Sequence, residues 1–402
     1  MKKLLYAITA VLAFAGCSKY YVDGDYLFPG EAGYASDSEA GGVEGPGENG
    51  GNGQGGEAGV ITAGEWNDLD NWNFWGGLMT GEQYKEFSFY WGLNTSHRFA
   101  VKVVDAASAP VAGASVELKS ADGTLLWTSR TDNSGSASLW AGVFEKESQV
   151  SLGSCTVSIN GVQQDGNPAV SDWAGETVTE NLYTLASAPK PGNNVDIAFI
   201  VDATGSMGDE IDFLKEDLMD ILNTVGQKQT SRSIYTGTVF YRDKGDDYVT
   251  RTSAFTTDIS KTVNFVKKQS ASGGGDWPEA VHTALEVAVN ELQWHGDAYS
   301  KLAFMVLDAP AHHDQQGVIE SMQASIEKYS RMGIKIIPVF CSSFSKDCEF
   351  MCRQFAILTG GTYVFLTDDS QVGGEHVEAS VGQYQVEHLN DLIVRLIDKY
   401  IS

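Results

Sequence analysis

Apolar positions change their spacing along this chain, and the changes divide it. Between residues 97 and 187 they alternate: Phe99, Val101 and Val103 stand around Ala100 and Lys102, and Val116 and Leu118 flank Glu117. Turn signals at Ala121-Asp122-Gly123 and Asp132-Asn133-Ser134-Gly135 separate the runs. Short alternating segments between such turns predict a small all-β sandwich. From Asn193 onward the pattern is different. Residues 197–201, 302–307 and 334–340 are largely apolar, as expected of strands buried on both faces of a parallel sheet. Between them Ile211, Leu214, Leu218, Ile221, Leu222 and Val225 recur at helical spacing over 209–226. Further amphipathic helices are predicted at about 278–293, 315–332 and 386–400. The fold class predicted is α/β, a doubly wound, mostly parallel sheet preceded by a small all-β sandwich. Such sheets place their sites beyond the C-terminal strand ends, where strand order reverses.

The N-terminus follows another pattern. Met1-Lys2-Lys3 precedes an apolar stretch from residue 4 to 15, which ends in Phe14-Ala15-Gly16-Cys17-Ser18. That stretch is too short to span a bilayer and suits a secretory signal. Its end resembles the lipobox of bacterial lipoproteins, although Phe14 stands where Leu is usual. The resemblance implies that residues 1–17 are a lipoprotein signal peptide, with lipid on Cys17 as the anchor. Residues 18–65 carry nine carboxylates and one lysine in a Gly-rich context and are expected to be a flexible acidic tether. Residues 66–188 then comprise an aromatic-rich cap and the sandwich. Trp66, Trp72, Trp75, Tyr84, Phe87 and Trp91 fall in the cap. Packing against a neighbour is the expected role, with a sugar-binding platform as the alternative. Residues 104–116 and 131–137 resemble the carboxypeptidase-regulatory-like sandwich, which implies a presentation or binding module.

Charge narrows the partners. The 53 acidic and 27 basic residues give a net charge of -26. That disfavours nucleic acid and docking to anionic lipid through a basic patch. Five cysteines in 402 residues are too few for a disulfide scaffold. Cys341, Cys348 and Cys352 cluster late in the chain. A disulfide among them and buried free thiols both remain open.

Three loops after predicted strands are rich in oxygen donors. Asp202-Ala203-Thr204-Gly205-Ser206 offers a carboxylate and two hydroxyls at alternate positions. Gly273-Gly274-Gly275-Asp276-Trp277-Pro278-Glu279 lets the backbone approach closely, and Asp308 ends an apolar run. Carboxylates and hydroxyls without His or Cys favour Mg²⁺, Ca²⁺ or Mn²⁺ over Zn²⁺ or Cu.

These residues also carry a resemblance. Asp202-x-Thr204-x-Ser206, Phe240-Tyr241-Arg242-Asp243, the glycine-rich second loop and Asp308-Ala309-Pro310 resemble von Willebrand factor A domains. The likeness runs from Asp196 to the C-terminus, which sets the domain at 193–402, and within the family it is nearest to the A domains of hemicentins and alpha-kinase-linked proteins. It implies a metal-ion-dependent adhesion site. Thr204 and Ser206 would bind metal through their hydroxyls, and Asp202 and Asp308 directly or through water. Asp276 stands where many such sites have threonine. It is either a further ligand or a cap for the helix that follows.

Asp243 and His312 are weaker candidates beside this site. His312 with His313 also raises a second metal, against plain loop solvation. The function expected is that of a lipid-anchored bacterial envelope protein, at the outer membrane on its periplasmic or surface face. Its A domain would bind a protein or matrix-like partner through a divalent ion. A structural scaffold with a stabilising metal is the alternative. A metal-dependent hydrolase using Asp308 and His312 is a third reading. Gly-x-Ser-x-Gly, His-Glu-x-x-His, a P-loop and kinase motifs are all absent from the sequence, so no catalytic residue is assigned.

Overall fold

A computed structural model describes residues 61–145, 150–171, 173, 178–188, 190–275, 277–341, 345–367 and 378–402. The signal segment, Cys17, residues 18–60 of the tether and Asp276 lie outside the described residues. The chain opens with β1 (Thr62–Trp66), α1 (Trp72–Met79) and α2 (Glu82–Trp91). Seven strands follow: β2 (Arg98–Asp105), β3 (Ser115–Lys119), β4 (Leu125–Arg130), β5 (Ser136–Trp140), β6 (Thr156–Ile159), β7 (Val162–Gln163) and β8 (Glu180–Leu185). Then come β9 (Asn194–Asp202), α3 (Gly208–Lys228), β10 (Ser233–Tyr241), β11 (Thr250–Thr256), α4 (Ile259–Val266) and α5 (Val281–Asn290). The chain closes with β12 (Ser300–Leu307), α6 (Val318–Met332), β13 (Ile334–Phe340), α7 (Lys346–Thr359), β14 (Tyr363–Leu366), β15 (Glu387–His388) and α8 (Leu389–Ile401).

The large sheet has the order β11-β10-β9-β12-β13-β14-β1-β15. Strands β10, β9, β12, β13 and β14 run parallel, while β11 and β1 pair antiparallel. Central strands β9 and β12 are buried almost throughout, which is why their sequences read as apolar runs rather than alternations. One face packs on α3, α4 and α8 through residues such as Leu214, Val263 and Leu392. The other packs on α5, α6 and α7 through Leu285, Ile326 and Phe355. Strand order reverses between β9 and β12, because β9 leads outward to β10 and β12 outward to β13. The crevice at their C-terminal ends is where a doubly wound sheet binds ligands.

The predicted helices correspond to α3, α5, α6 and α8. Helix α7 had no amphipathic signature because it is buried nearly all round, from Cys348 to Thr359. The expected tether reached residue 65, whereas Thr62–Trp66 form β1 inside the large sheet. Ala63 pairs with Leu366 and Trp66 with Tyr363. Only Ala63 and Trp66 in that strand are apolar, so nothing in the pattern announced it.

The segment between β2 and β8 forms two small sheets, β5-β2-β8 and β4-β3-β6-β7. Phe99, Val101 and Leu139 from one meet Val116, Leu118 and Trp127 from the other in a shared core. This sandwich docks on α6. The Trp127 indole donates to the Ser330 hydroxyl at 3.0 Å, and that hydroxyl donates to the Thr128 carbonyl at 3.1 Å. Lys335 and Asp132 add an ion pair at 3.2 Å.

The cap packs on α7. Trp75, Tyr84 and Phe87 lie around Phe350 with ring centres 5.6–5.9 Å apart. Arg353, fully buried, reaches Asp68 through two bonds of 2.9 and 2.6 Å and stacks over Trp75. Burial alone would lower its pKa, but Asp68 and Glu349 outweigh it and hold the guanidinium charged. Among the described residues Cys155, Cys341, Cys348 and Cys352 are buried free thiols. Burial pushes Cys341 and Cys348 well above the usual thiol range. No described helix is long and apolar enough to cross a membrane.

Candidate functional site

Asp202 is the last residue of β9, and Asp308 follows the end of β12, its parallel neighbour. Neighbouring strands lie about 4.8 Å apart, so the fold brings the two carboxylates to one rim. Beyond Asp202 the chain turns into α3 through a tight loop. Asp202 Oδ1 accepts from the Thr204 backbone N–H at 2.9 Å and its hydroxyl at 2.8 Å. The exposed Ser206 hydroxyl stands close enough to Asp308 to ease its charge. Asp202, Thr204, Ser206 and Asp308 therefore form one cluster. Arg242 braces it by donating to the Ala203 carbonyl at 3.0 Å and the Ser270 carbonyl at 2.8 Å.

The glycine-rich loop closes over this cluster. Gly205 N–H donates to the Gly273 carbonyl at 3.1 Å, and Gly274 N–H to Asp246 at 3.0 Å. Gly274 has φ +74°, and a Cβ there would sit 2.7 Å from Glu279 Oε1 and 3.1 Å from Thr204 Cβ. Only glycine allows both that backbone and that approach. Glu279 N–H donates to the Pro310 carbonyl at 2.8 Å, clipping the second loop to the third. An open depression of about 390 Å³ lies above, lined by Thr204, Ser206, Gly274, Trp277 and Glu279. Trp277 is 44% exposed at its rim.

The electrostatics of this cluster are unbalanced. Burial, and after it the charge of Asp308, pushes the Asp202 carboxyl up to about 7. Burial, then Asp202 and Asp243, pushes Glu279 up to about 9. Burial also raises Asp308, although Ser206 restrains it. Asp202 Oδ2, Asp308 Oδ1 and Glu279 Oε2 are buried without a hydrogen-bond partner among the described residues. Tyr241 stands close enough to ease the Asp202 charge, but its hydroxyl has no hydrogen-bond partner among the described residues. No lysine or arginine forms a described ion pair with Asp202, Asp308 or Glu279. Burying carboxylates in this way is costly without a counter-charge.

The described residues contain no group of three or more His, Cys, Asp or Glu poised to hold a metal. A donor set that mixes two carboxylates with two hydroxyls is of another kind. All its atoms are oxygen, which suits a hard cation.

Asp243 and His312 pair with each other, His312 Nε2 to Asp243 Oδ1 at 2.9 Å, both buried. His313 turns away and packs between Tyr90 and Trp91 at 4.6 and 5.4 Å. The two histidines therefore do not share one site. Sequence reasoning passed over Glu279 as a site residue, although it named the loop. An acid next to a proline at a helix start reads as an ordinary helix-dipole partner. Tyr241 was named only within the motif that carries the resemblance, and Asp246 was missed because nothing in its spacing shows that it reaches the glycine-rich loop.

Residues 196–365 match the family model of the von Willebrand factor A domain. This segment is a von Willebrand factor A domain. Domains of this family serve as interaction modules. The chain is 30% identical to the alpha-protein kinase vwkA of Dictyostelium discoideum over 232 residues, 56% of this chain and 36% of the kinase. It is 35% identical to an ariadne-like RING finger protein of Acanthamoeba polyphaga mimivirus over 123 residues, 30% of this chain and 11% of that protein. The chain thus spans well under half of either relative's length. Among solved structures, an aerotolerance-related membrane protein from Bacteroides fragilis matches 51% of this chain and 99% of its own. The identity is 15% and the TM-score 0.31, a likeness too slight to bear on fold or function.

Proposed function

We propose that the chain is a lipid-anchored bacterial envelope protein whose A domain holds a protein or matrix-like partner through a divalent cation. The supporting observation is that Asp202 Oδ2 and Asp308 Oδ1, at the ends of adjacent parallel strands, are buried without described partners beside an open depression lined by Thr204 and Ser206. A divalent ion would neutralise that charge. Thr204 and Ser206 would offer their hydroxyls, and Asp202 and Asp308 their carboxylates, directly or through water. Asp276 remains a further candidate. Mg²⁺, Ca²⁺ and Mn²⁺ all suit this donor set. The bound ion would supply an electrophilic position for an oxygen of the partner. Trp277, exposed at the rim, is the side chain best placed to add apolar contact, as tryptophan commonly does in interfaces.

The anchor belongs to the same proposal. Lipid on Cys17 and the acidic stretch after it would hold the A domain away from the membrane. The relatives' kinase and RING-finger names concern proteins much longer than this one and support no activity here.

Calorimetry with MgCl₂ or CaCl₂, paired with envelope-extract pull-downs with and without EDTA, tests the reading. Saturable cation binding, and a partner lost both in EDTA and in Asp202→Ala, is the expected result. Absence of cation binding, or capture indifferent to EDTA, would overturn it.

A further inference from the structure

A second cleft shares no lining residue with the depression at the A-domain rim. It opens where the sandwich, the segment after β1, and the start of β13 and end of α8 meet, and its volume is about 360 Å³. That falls in the range of small-molecule sites, which favour such junctions.

Its charge is unusual for so acidic a chain. Arg98, Arg130, Lys335 and Lys399 line it, against the carboxylates of Asp70, Asp132 and Glu180. One positive charge is left over locally, in a protein of net charge -26. Lys335 is committed to Asp132. Arg98 is not committed to any acid, as no described carboxylate comes within ion-pair distance of it. Its Nε donates to the Ser138 hydroxyl at 3.1 Å and its Nη1 to the Leu69 carbonyl at 2.8 Å. The group lies 5.0 Å from the Trp72 ring centre and is only 7% exposed. These contacts fix its plane and leave the Nη2 edge with no described partner. Burial lowers its pKa to about 10 despite Asp70 and Glu180, the behaviour of a buried cation short of an anion.

The remaining wall is suited to hydroxyls. Ser129 and Ser136 line it, and Asp70 and Glu180 offer acceptors. Ala100, Val101 and Leu358 supply apolar surface. Those carboxylates would repel a multiply charged phosphate, whereas a single carboxylate matches the surplus charge. The cleft also continues outward. A more open hollow of about 720 Å³ shares Asn67, Asp70 and Lys399 with it and presents Tyr384, which is 42% exposed. An exposed aromatic ring beside a polar cleft is a stacking surface for a sugar face.

We propose that this cleft binds a uronic acid, the sugar carboxylate meeting Arg98 and Lys399 and the ring hydroxyls meeting the serines and carboxylates of the wall. A chain of such sugars would run outward over Tyr384. The site is separate from the A-domain cluster and works without a divalent ion.

Titration calorimetry of the whole chain in EDTA tests this, with D-glucuronate, D-glucose and inorganic phosphate as probes. Glucuronate should bind saturably, and glucose and phosphate at least about tenfold more weakly, the loss expected for a missing or mismatched charged hydrogen bond. Lys399→Gln, at an exposed position, should weaken glucuronate by about tenfold with an unchanged melting temperature. Arg98→Lys should weaken it further. Trigalacturonate should bind more tightly than glucuronate, and Tyr384→Ala should remove that gain. No saturable glucuronate binding, equal binding of glucose or phosphate, or an unaffected Lys399→Gln would overturn the proposal. Equal affinities for the trimer and monomer would overturn its outward extension.

Discussion

Asp202 and Asp308 stand at the ends of adjacent parallel strands, and the second helps burial to push the first up to about 7. The cation-free cluster therefore opposes folding at neutral pH, and the proposed ion would reverse that sign. Asp308→Asn keeps the shape of the side chain beside Ser206 and removes the charge. Without divalent ions it should gain about 1 kcal/mol over the parent, the worth of roughly one unit of pKa. With MgCl₂ at a hundred times its dissociation constant the parent should gain about 2.7 kcal/mol and the variant almost nothing. Thermal unfolding in EDTA and in MgCl₂ measures both effects. Equal cation-induced shifts in the two proteins would contradict the assignment.

Gly274 offers a test that leaves every donor atom in place. Alanine there meets Glu279 and Thr204 and must hold φ near +74°. The expected cost is about 1–2 kcal/mol, together with a reduced cation-induced shift because Thr204 is displaced. Gly275→Ala is the control, since its added carbon meets nothing within 4 Å, and it should be close to neutral. Chemical denaturation of both variants decides the matter. Similar losses at the two positions would show that the close approach at Gly274 is not what matters.

Legibility in this chain follows how each residue is partnered. Strands β9 and β12 and helix α3 were readable because one layer or two layers of core impose a period on the sequence. The loop residues Asp202, Thr204, Ser206 and Asp308 were readable as a set because they follow such strands. Helix α7 was hidden by burial on every side, which erases the polar face. Strand β1 was hidden because Thr62, Gly64 and Glu65 carry no apolar signal, and its pairing with β14 spans some three hundred residues. The same distance concealed Asp68 and Arg353, each of which reads alone as a surface charge. Glu279 was hidden differently, because only the folded loop turns it toward Asp202.

The Asp68–Arg353 pair carries a prediction about architecture. Both side chains are essentially inaccessible, and the guanidinium also meets Glu349 and the Ser380 carbonyl. Removing one partner strands a buried charge, which typically costs about 3–5 kcal/mol. Asp68→Ala should lower the urea midpoint accordingly, although Asp68 lies more than a hundred residues before the A domain. A loss below about 1 kcal/mol would mean that the cap is not coupled to α7.

His282 sets an acid limit on stability. It is buried on α5, its Nδ1 has no described partner, and its Nε2 lies 3.2 Å from the Thr283 hydroxyl. Burial, then Lys244 and His312, lowers its pKa to about 4, while Glu286 and Asp243 oppose the shift. The unfolded chain takes up this proton near pH 6.5 and the folded chain only near pH 4. Across that window the unfolded state binds more protons, so stability falls as the pH falls. Asp202 and Glu279 act in the opposite direction, since their folded pKa values are raised and their protonated forms favour the fold. The His282 contribution is therefore best seen as a difference. His282→Gln should be less stable than the parent at pH 7 but lose less between pH 6.5 and 4, when urea unfolding is followed at each pH in EDTA. Parallel pH profiles for the two proteins would show that His282 does not titrate with folding.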